Sequence, residues 1–241
     1  MSVIILFEGI DGSGKSTAVK NLKEKLESEN IPAIIINGPV SRENIAVNLK
    51  KFNKTLVDDL SAIKIQKINE FMAFAIDRIE QFNAIKESAS SGVDFILVDR
   101  SFVSSLAYQR LEDDEQVDYI NRRINYFLLE SFKIKFDYIV FLNADPRIAA
   151  GRIINRAALL KSSRGVSRHT GTEINESDNA IDINVLSAFL SDMSNKYLKA
   201  LAETASDYSS FYNKYAEIDA NGKPETVLKK LYDILKPRAD K

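Results

Sequence analysis

The sequence predicts an α/β fold in which a central five-stranded parallel sheet is flanked by helices. Two observations carry this reading. Short apolar runs without alternation recur along the chain, as strands covered on both faces require. Longer helical stretches separate each run from the next, as the crossovers of a doubly wound sheet require. Val3 to Phe7 is the first such run. Ala33 to Ile36 is the second, bounded by Pro32 and by Gly38-Pro39. Phe95 to Val98 follows Gly92 and stops at Asp99, and Tyr138 to Leu142 stops at Asn143. A weaker run, Tyr215 to Ile218, stops at Asp219. The helical stretches fall at roughly 15–29, 57–91, 114–132, 146–160, 183–212 and 224–236. Ligands of such sheets bind beyond the carboxyl ends of the strands, which places Gly9, Asn37, Asp99 and Asn143 at the expected site.

Composition narrows the chemistry. The 241 residues carry 33 basic and 34 acidic side chains, a net charge of −1, so no global field draws the chain to nucleic acid or to a membrane surface. No apolar stretch reaches spanning length, and the first residues do not form a signal peptide; both point to the cytoplasm. Cysteine is absent, which removes disulfides, thiolate metal sites and Cys nucleophiles. The one histidine, His169, excludes a multi-histidine metal cluster and lies in a polar loop, where it reads as solvated. No repeat or linker divides the chain, so one domain over 1–241 is expected. Lys161 to Ala180 is polar, lies between two helical stretches and is long for a connection. It reads as a lid, over about 157–180.

Gly9-Ile-Asp-Gly-Ser-Gly-Lys-Ser16 fits G-x-x-x-x-G-K-[ST] without mismatch, between a strand and a helix. Glycines there let successive N–H groups face phosphate oxygens, and the following helix adds its positive end. Lys15 brings a cation to the β- and γ-phosphates, and the Ser16 hydroxyl can ligate Mg²⁺. The loop (Gly9, Ile10, Asp11, Gly12, Ser13, Gly14, Lys15, Ser16 and Thr17) is therefore the expected ATP site in a P-loop fold. The guanine motif N-K-x-D is missing from every Asn-Lys pair in the sequence, so a small kinase suits the chain better than a GTPase. Asp99-Arg100 follows the third strand directly. Asp99 can hold the Mg²⁺ shell and Arg100 can grip a second phosphate, although an ion pair closing the strand explains the same residues. Phe74 and Arg78 share a helix face. They can stack and read a nucleobase, but spacing alone favours a core stripe of Phe71, Phe74 and Phe82.

Together these segments resemble the thymidylate kinases. Phe7 to Thr17 is similar to that family's phosphate loop, including the acid at Asp11. Phe74-Ala-Ile-Asp-Arg78 is similar to its base-binding helix, Asp99 to Gln109 to its Asp-Arg segment, and Ile218 to Gly222 to its last strand and turn. The resemblance implies transfer of the ATP γ-phosphate to dTMP, giving dTDP, with Mg²⁺ held at Ser16 and Asp99. It implies that Phe74 stacks on thymine, that Arg78 bonds its edge, and that Ser104 and Ser105 line the base. Tyr108 would pack on the deoxyribose, Asp11 would bind the 3′-hydroxyl, and Arg100 with Arg42 would bind the acceptor phosphate. Gly12 stands where some members carry a basic residue, so the charge on the transferring group is expected from Arg152, Arg156, Arg164 and Arg168. Arg156 and Arg164 are favoured as catalytic, with Arg152 on the ATP side. A homodimer through the helices beside the Asp-Arg segment is also implied. Gly38 to Glu43, Ser101 and Ser105 depart from the family pattern on the acceptor side. The alternatives are another pyrimidine deoxynucleotide or a deoxynucleoside as acceptor, or a nucleotide-binding regulatory protein without turnover.

Overall fold

A computed structural model describes residues 2–38, 60–110, 115–162 and 182–235. Five strands form one parallel sheet: β1 (Val3–Glu8), β2 (Ala33–Asn37), β3 (Phe95–Asp99), β4 (Phe136–Asn143) and β5 (Tyr212–Asp219), in the order β2-β3-β1-β4-β5. The expected five-stranded parallel sheet is therefore present. Leu6, Phe7, Leu97, Val98, Val140 and Leu142 are fully buried, so the central strands are covered on both faces. This is why their sequence shows no alternation. β5 lies at the edge and is largely exposed, which is why its apolar signal is weak.

The described helices are α1 (Lys15–Ser28), α2 (Leu60–Ser90), α3 (Phe102–Tyr108), α4 (Glu115–Phe132), α5 (Pro146–Ser162), α6 (Ile183–Asp207) and α7 (Pro224–Leu235). α1 packs against α7, while α2 and α4 pack together, as do α3 with α6 and α5 with α6. Two helix starts carry clear local causes. Asp145 accepts from the amides of Arg147 and Ile148 at 2.8 and 3.2 Å, with Pro146 at the first helical position. Asp182 accepts from the Asn184 amide at 2.7 Å.

Two expectations need correction. The helix expected over 183–212 ends at Asp207 and is followed by a 3₁₀ turn over Ser209–Phe211. The apolar residues that prolonged the periodicity, Tyr208 and Phe211, are instead buried at that turn, and the Tyr208 hydroxyl donates to the Arg122 carbonyl at 2.6 Å. The short helix α3 has no counterpart among the expected stretches. Its serines weaken the helical pattern, and its N-terminal amides are satisfied by a side chain distant in sequence, Glu8.

The register aligns Phe7 with Asp99 and Asn37 with Asp99, so the carboxyl ends of β1, β2 and β3 finish level. The segments that leave them meet in one place. The core that fixes this alignment is tight at Leu97, paired with Ile5. Leu97→Ala is expected to cost about 2–5 kcal/mol of stability, read from the midpoint of urea unfolding at unchanged slope.

Candidate functional site

The loop from β1 to α1 is built on three glycines with positive φ: Gly9, Gly12 and Gly14. Gly12 is the tightest of them. A β-carbon there would lie 2.4 Å from the Ala149 carbonyl oxygen of α5. Lys15 opens α1 and turns back over the loop, donating to the carbonyls of Gly9 and Ile10 at 2.8 Å each. Ser16 donates to Asp99 Oδ2 at 2.7 Å. A hydroxyl and a carboxylate beside a phosphate loop are hard oxygen donors of the kind Mg²⁺ takes together with phosphate oxygens.

Arg100 follows Asp99 with a left-handed backbone, φ 68. That turn sends Arg100 away from Asp99 and toward the other half of the cleft. Its Nη2 bonds Asp11 Oδ1, and its Nη1 donates to the Tyr197 hydroxyl at 2.6 Å and to Ser104 Oγ at 3.3 Å. The guanidinium lies 5.2 Å from the Tyr108 ring centre, within cation–π range. Asp99, Arg100, Asp11, Lys15 and Ser16 are thus brought together as expected from the two motifs.

Beneath them lies Glu8, wholly buried. Its Oε1 accepts from the Ser101 and Ser104 amides at 2.8 and 3.2 Å, and its Oε2 accepts from Ser104 Oγ. Ser104 is therefore engaged on the Arg100 side, and its Oγ lies 2.7 Å from the Tyr197 hydroxyl. Ser105 faces Arg78, whose Nη2 donates to it at 3.3 Å. Arg78 Nη1 donates to Gln81 at 2.9 Å, and its buried Nε has no partner among the described residues. Phe74, one helical turn before Arg78, is half-buried and stands outside the central apolar cluster that holds Phe82. The stripe suggested by spacing alone is therefore split, with Phe82 in the core and Phe74 beside Arg78.

Electrostatics follow from burial and proximity. Burial raises the Glu8 carboxyl above its ordinary value despite the hydrogen bonds that oppose it. For Asp11, burial acts upward but is outweighed by Arg100 and then Lys15, with a smaller contribution from Arg156, so its carboxyl is held below its ordinary value. Burial, then the charge of Arg100, pulls the Lys15 ammonium down to about 7. Burial also lowers Arg78, to about 10, and raises Tyr108 to about 12.

Arg152 on α5 ties three segments together. It donates to the carbonyl oxygens of Gly12, Ser13, Ala220, Asn221 and Gly222, closest to Ala220 at 2.8 Å. Arg156, one turn on, is exposed on the same helix. Arg42, Arg164, Arg168 and His169 lie outside the described residues. The residues that sequence reasoning missed are Glu8, Gln81 and Tyr197. A lone carboxylate ending an apolar strand was the available signal for Glu8. Gln81 and Tyr197 gave none, because their roles depend on contacts between distant segments.

Comparison with known proteins agrees with this geometry. The thymidylate kinase family profile matches residues 7–180. The chain is 34% identical over 155 residues to a thymidylate kinase of Leptospira borgpetersenii, covering 64% of this chain and 69% of that one. It is 34% identical over 150 residues to a thymidylate kinase of Campylobacter concisus, covering 62% and 69%. It is 31% identical over 156 residues to a probable thymidylate kinase of Methanocaldococcus jannaschii, covering 63% and 70%. With its phosphate loop, its Asp-Arg turn and its Phe-Arg helix placed in one cleft, the chain belongs to the thymidylate kinase family.

Proposed function

We infer that this protein transfers the γ-phosphate of ATP to dTMP, giving dTDP and ADP. The observation that carries this reading is the divergence of two consecutive residues: Asp99 turns to Ser16 beside the phosphate loop, and Arg100 turns to Asp11 and Tyr108. One turn thereby joins a donor half-site to an acceptor half-site.

On the donor side, the glycine loop and Lys15 hold the β- and γ-phosphates, with Arg152 beside the loop. Ser16 and Asp99 hold Mg²⁺, which when bound neutralises charge on the phosphate oxygens. On the acceptor side, Phe74 stacks on thymine, and Arg78 offers its buried Nε to the base edge with Ser105 beside it. Tyr108 packs on the sugar, Asp11 takes the 3′-hydroxyl, and Arg100, with Arg42, grips the acceptor phosphate. The reaction needs the two phosphates in line and positive charge on the oxygens between them, with no covalent enzyme intermediate. The Ala149 carbonyl fills the space a side chain at Gly12 would need, so position 12 cannot add a basic side chain to the charge that Lys15 brings. Arg156, near enough to act on Asp11, is one source, and Arg164 is the second candidate.

No described helix is long and apolar enough to cross a membrane, and the balanced net charge offers nucleic acid no broad attraction. The cytoplasm is the proposed compartment. A homodimer is the proposed assembly. Met72, Ile76 and Ile79 on α2 and Tyr119, Ile120 and Phe127 on α4 are exposed, on two helices that pack against each other. Apolar side chains gathered this way mark an association surface, and a second copy of the chain is its occupant.

Three outcomes are expected. In a coupled ADP-release assay over dTMP, dUMP, dCMP, dGMP, UMP and thymidine, turnover is highest on dTMP. Lys15→Ala and Arg100→Ala each lose on the order of 10²-fold or more in kcat/KM. A preference for another acceptor would retain the kinase and remove the thymine pocket, whereas nucleotide binding without turnover would favour a regulatory role.

The second outcome concerns Lys15. Its ammonium is half neutral near pH 7 in the free protein, and bound phosphates favour the charged form. At pH 8, ATP binding should therefore take up about one proton, falling away below pH 6 where Lys15 is already charged. Calorimetry in two buffers of different ionisation enthalpy reads this directly. Third, Phe127→Glu should convert a dimer to monomer in sedimentation velocity; an unchanged dimer would place the interface elsewhere.

A further inference from the structure

Gln81 lies on α2, three residues after Arg78, and is almost fully buried. Its carboxamide makes three hydrogen bonds. Oε1 accepts from Arg78 Nη1 at 2.9 Å and from Ser101 Oγ at 2.8 Å, and Nε2 donates to the Arg100 carbonyl at 2.9 Å. Only one orientation of the amide satisfies these partners. A guanidinium can only donate and a carbonyl can only accept, so a flipped amide would oppose like groups at both ends.

The carbonyl that Gln81 holds belongs to the left-handed residue Arg100. A non-glycine residue in that region is costly and persists only where its surroundings fix it. Gly38 closes over the same bond: a β-carbon there would stand 2.9 Å from both Gln81 Nε2 and the Arg100 oxygen. The chain thus leaves room for this hydrogen bond and nothing larger.

We propose that Gln81 is a positioning residue that locks the base-reading Arg78 and the phosphate-gripping Arg100 in one fixed relation, so that the acceptor is measured from base to phosphate. This rests on the acceptor site inferred above. Gln81 touches neither end of the acceptor. It sets the Arg78 guanidinium through one atom and the Arg100 backbone turn through the other. The donor half-site, built from Lys15, Ser16 and Asp99, shares no hydrogen bond with it.

The test uses full-length Gln81→Met and Gln81→Glu, with thymidine as a competitive inhibitor that reads the base end alone. Q81M removes all three bonds at similar volume. It should lower kcat/KM for dTMP by about 10- to 100-fold and weaken thymidine inhibition, while the KM for ATP stays within about twofold. Q81E keeps an oxygen for Arg78 and Ser101 but sets a second oxygen against the Arg100 carbonyl. It should weaken dTMP by a larger factor than thymidine. Ser101→Ala removes one bond and little volume; it should lower kcat/KM for dTMP a fewfold and keeps the test readable if the larger changes unfold the chain. Unchanged dTMP kinetics in Q81M, an equal rise in the KM for ATP, or equal losses of dTMP and thymidine in Q81E would overturn the proposal. A wild-type protein inactive on dTMP would overturn the acceptor reading itself, and this inference with it.

Discussion

The left-handed turn at Arg100 is the constraint on which the site depends. β3 delivers Asp99 level with Phe7, and the left-handed residue that follows turns its side chain to Asp11 and Tyr197. Had the strand simply continued, alternation would have placed Arg100 on the opposite sheet face from Asp99, away from the cleft that both serve. The turn is held at each backbone group. The Arg100 amide donates to the Phe7 carbonyl at 3.0 Å, its own carbonyl takes Gln81, and the next amide donates to Glu8. Strain of this sort costs about 1–3 kcal/mol, and these bonds hold it in place.

Glu8 makes the arrangement possible at a further cost. A carboxylate in a wholly buried place resists ionisation, but this one accepts from two backbone amides and two hydroxyls. It therefore acts as an N-terminal cap supplied by another strand, fixing α3 to β1. Arg100 and Arg78 lie close enough to favour its charged form, and Lys15 lies close enough to feel it. Such a site is poised for phosphates because Lys15 and Arg78 are already buried, and burial holds both below their ordinary values. Preorganised charge in a water-poor cleft stabilises charge in transfer more than the same groups would in water.

The approach of α5 to the phosphate loop sets the other boundary. With the Ala149 backbone against Gly12, glycine is required for space as well as for its positive φ. Arg152 extends the same contact, reaching both the loop carbonyls and the turn after β5. Helix, loop and last strand are thereby one unit, so the helix that carries Arg156 is registered to the loop it serves.

The sequence alone determined the sheet and the phosphate loop, because these depend on local patterns, whereas the Asp-Arg and Phe-Arg pairs took their roles only from the family resemblance. Unbroken apolar runs report strands buried on both faces, and glycines at fixed offsets report a turn around phosphate. It could not end α6 at Asp207 or find α3, since the first depends on where Tyr208 and Phe211 are buried and the second on a cap from Glu8. Nor could spacing decide whether Phe74 belonged to the core; only packing separated it from Phe82. Tertiary structure alone decided that Ser104 belongs with Arg100 while Ser105 belongs with Arg78, and that Gln81 and Tyr197 join the site. These partners are separated by up to 189 residues and meet because the parallel register brings the strand ends level, a condition that no local periodicity records.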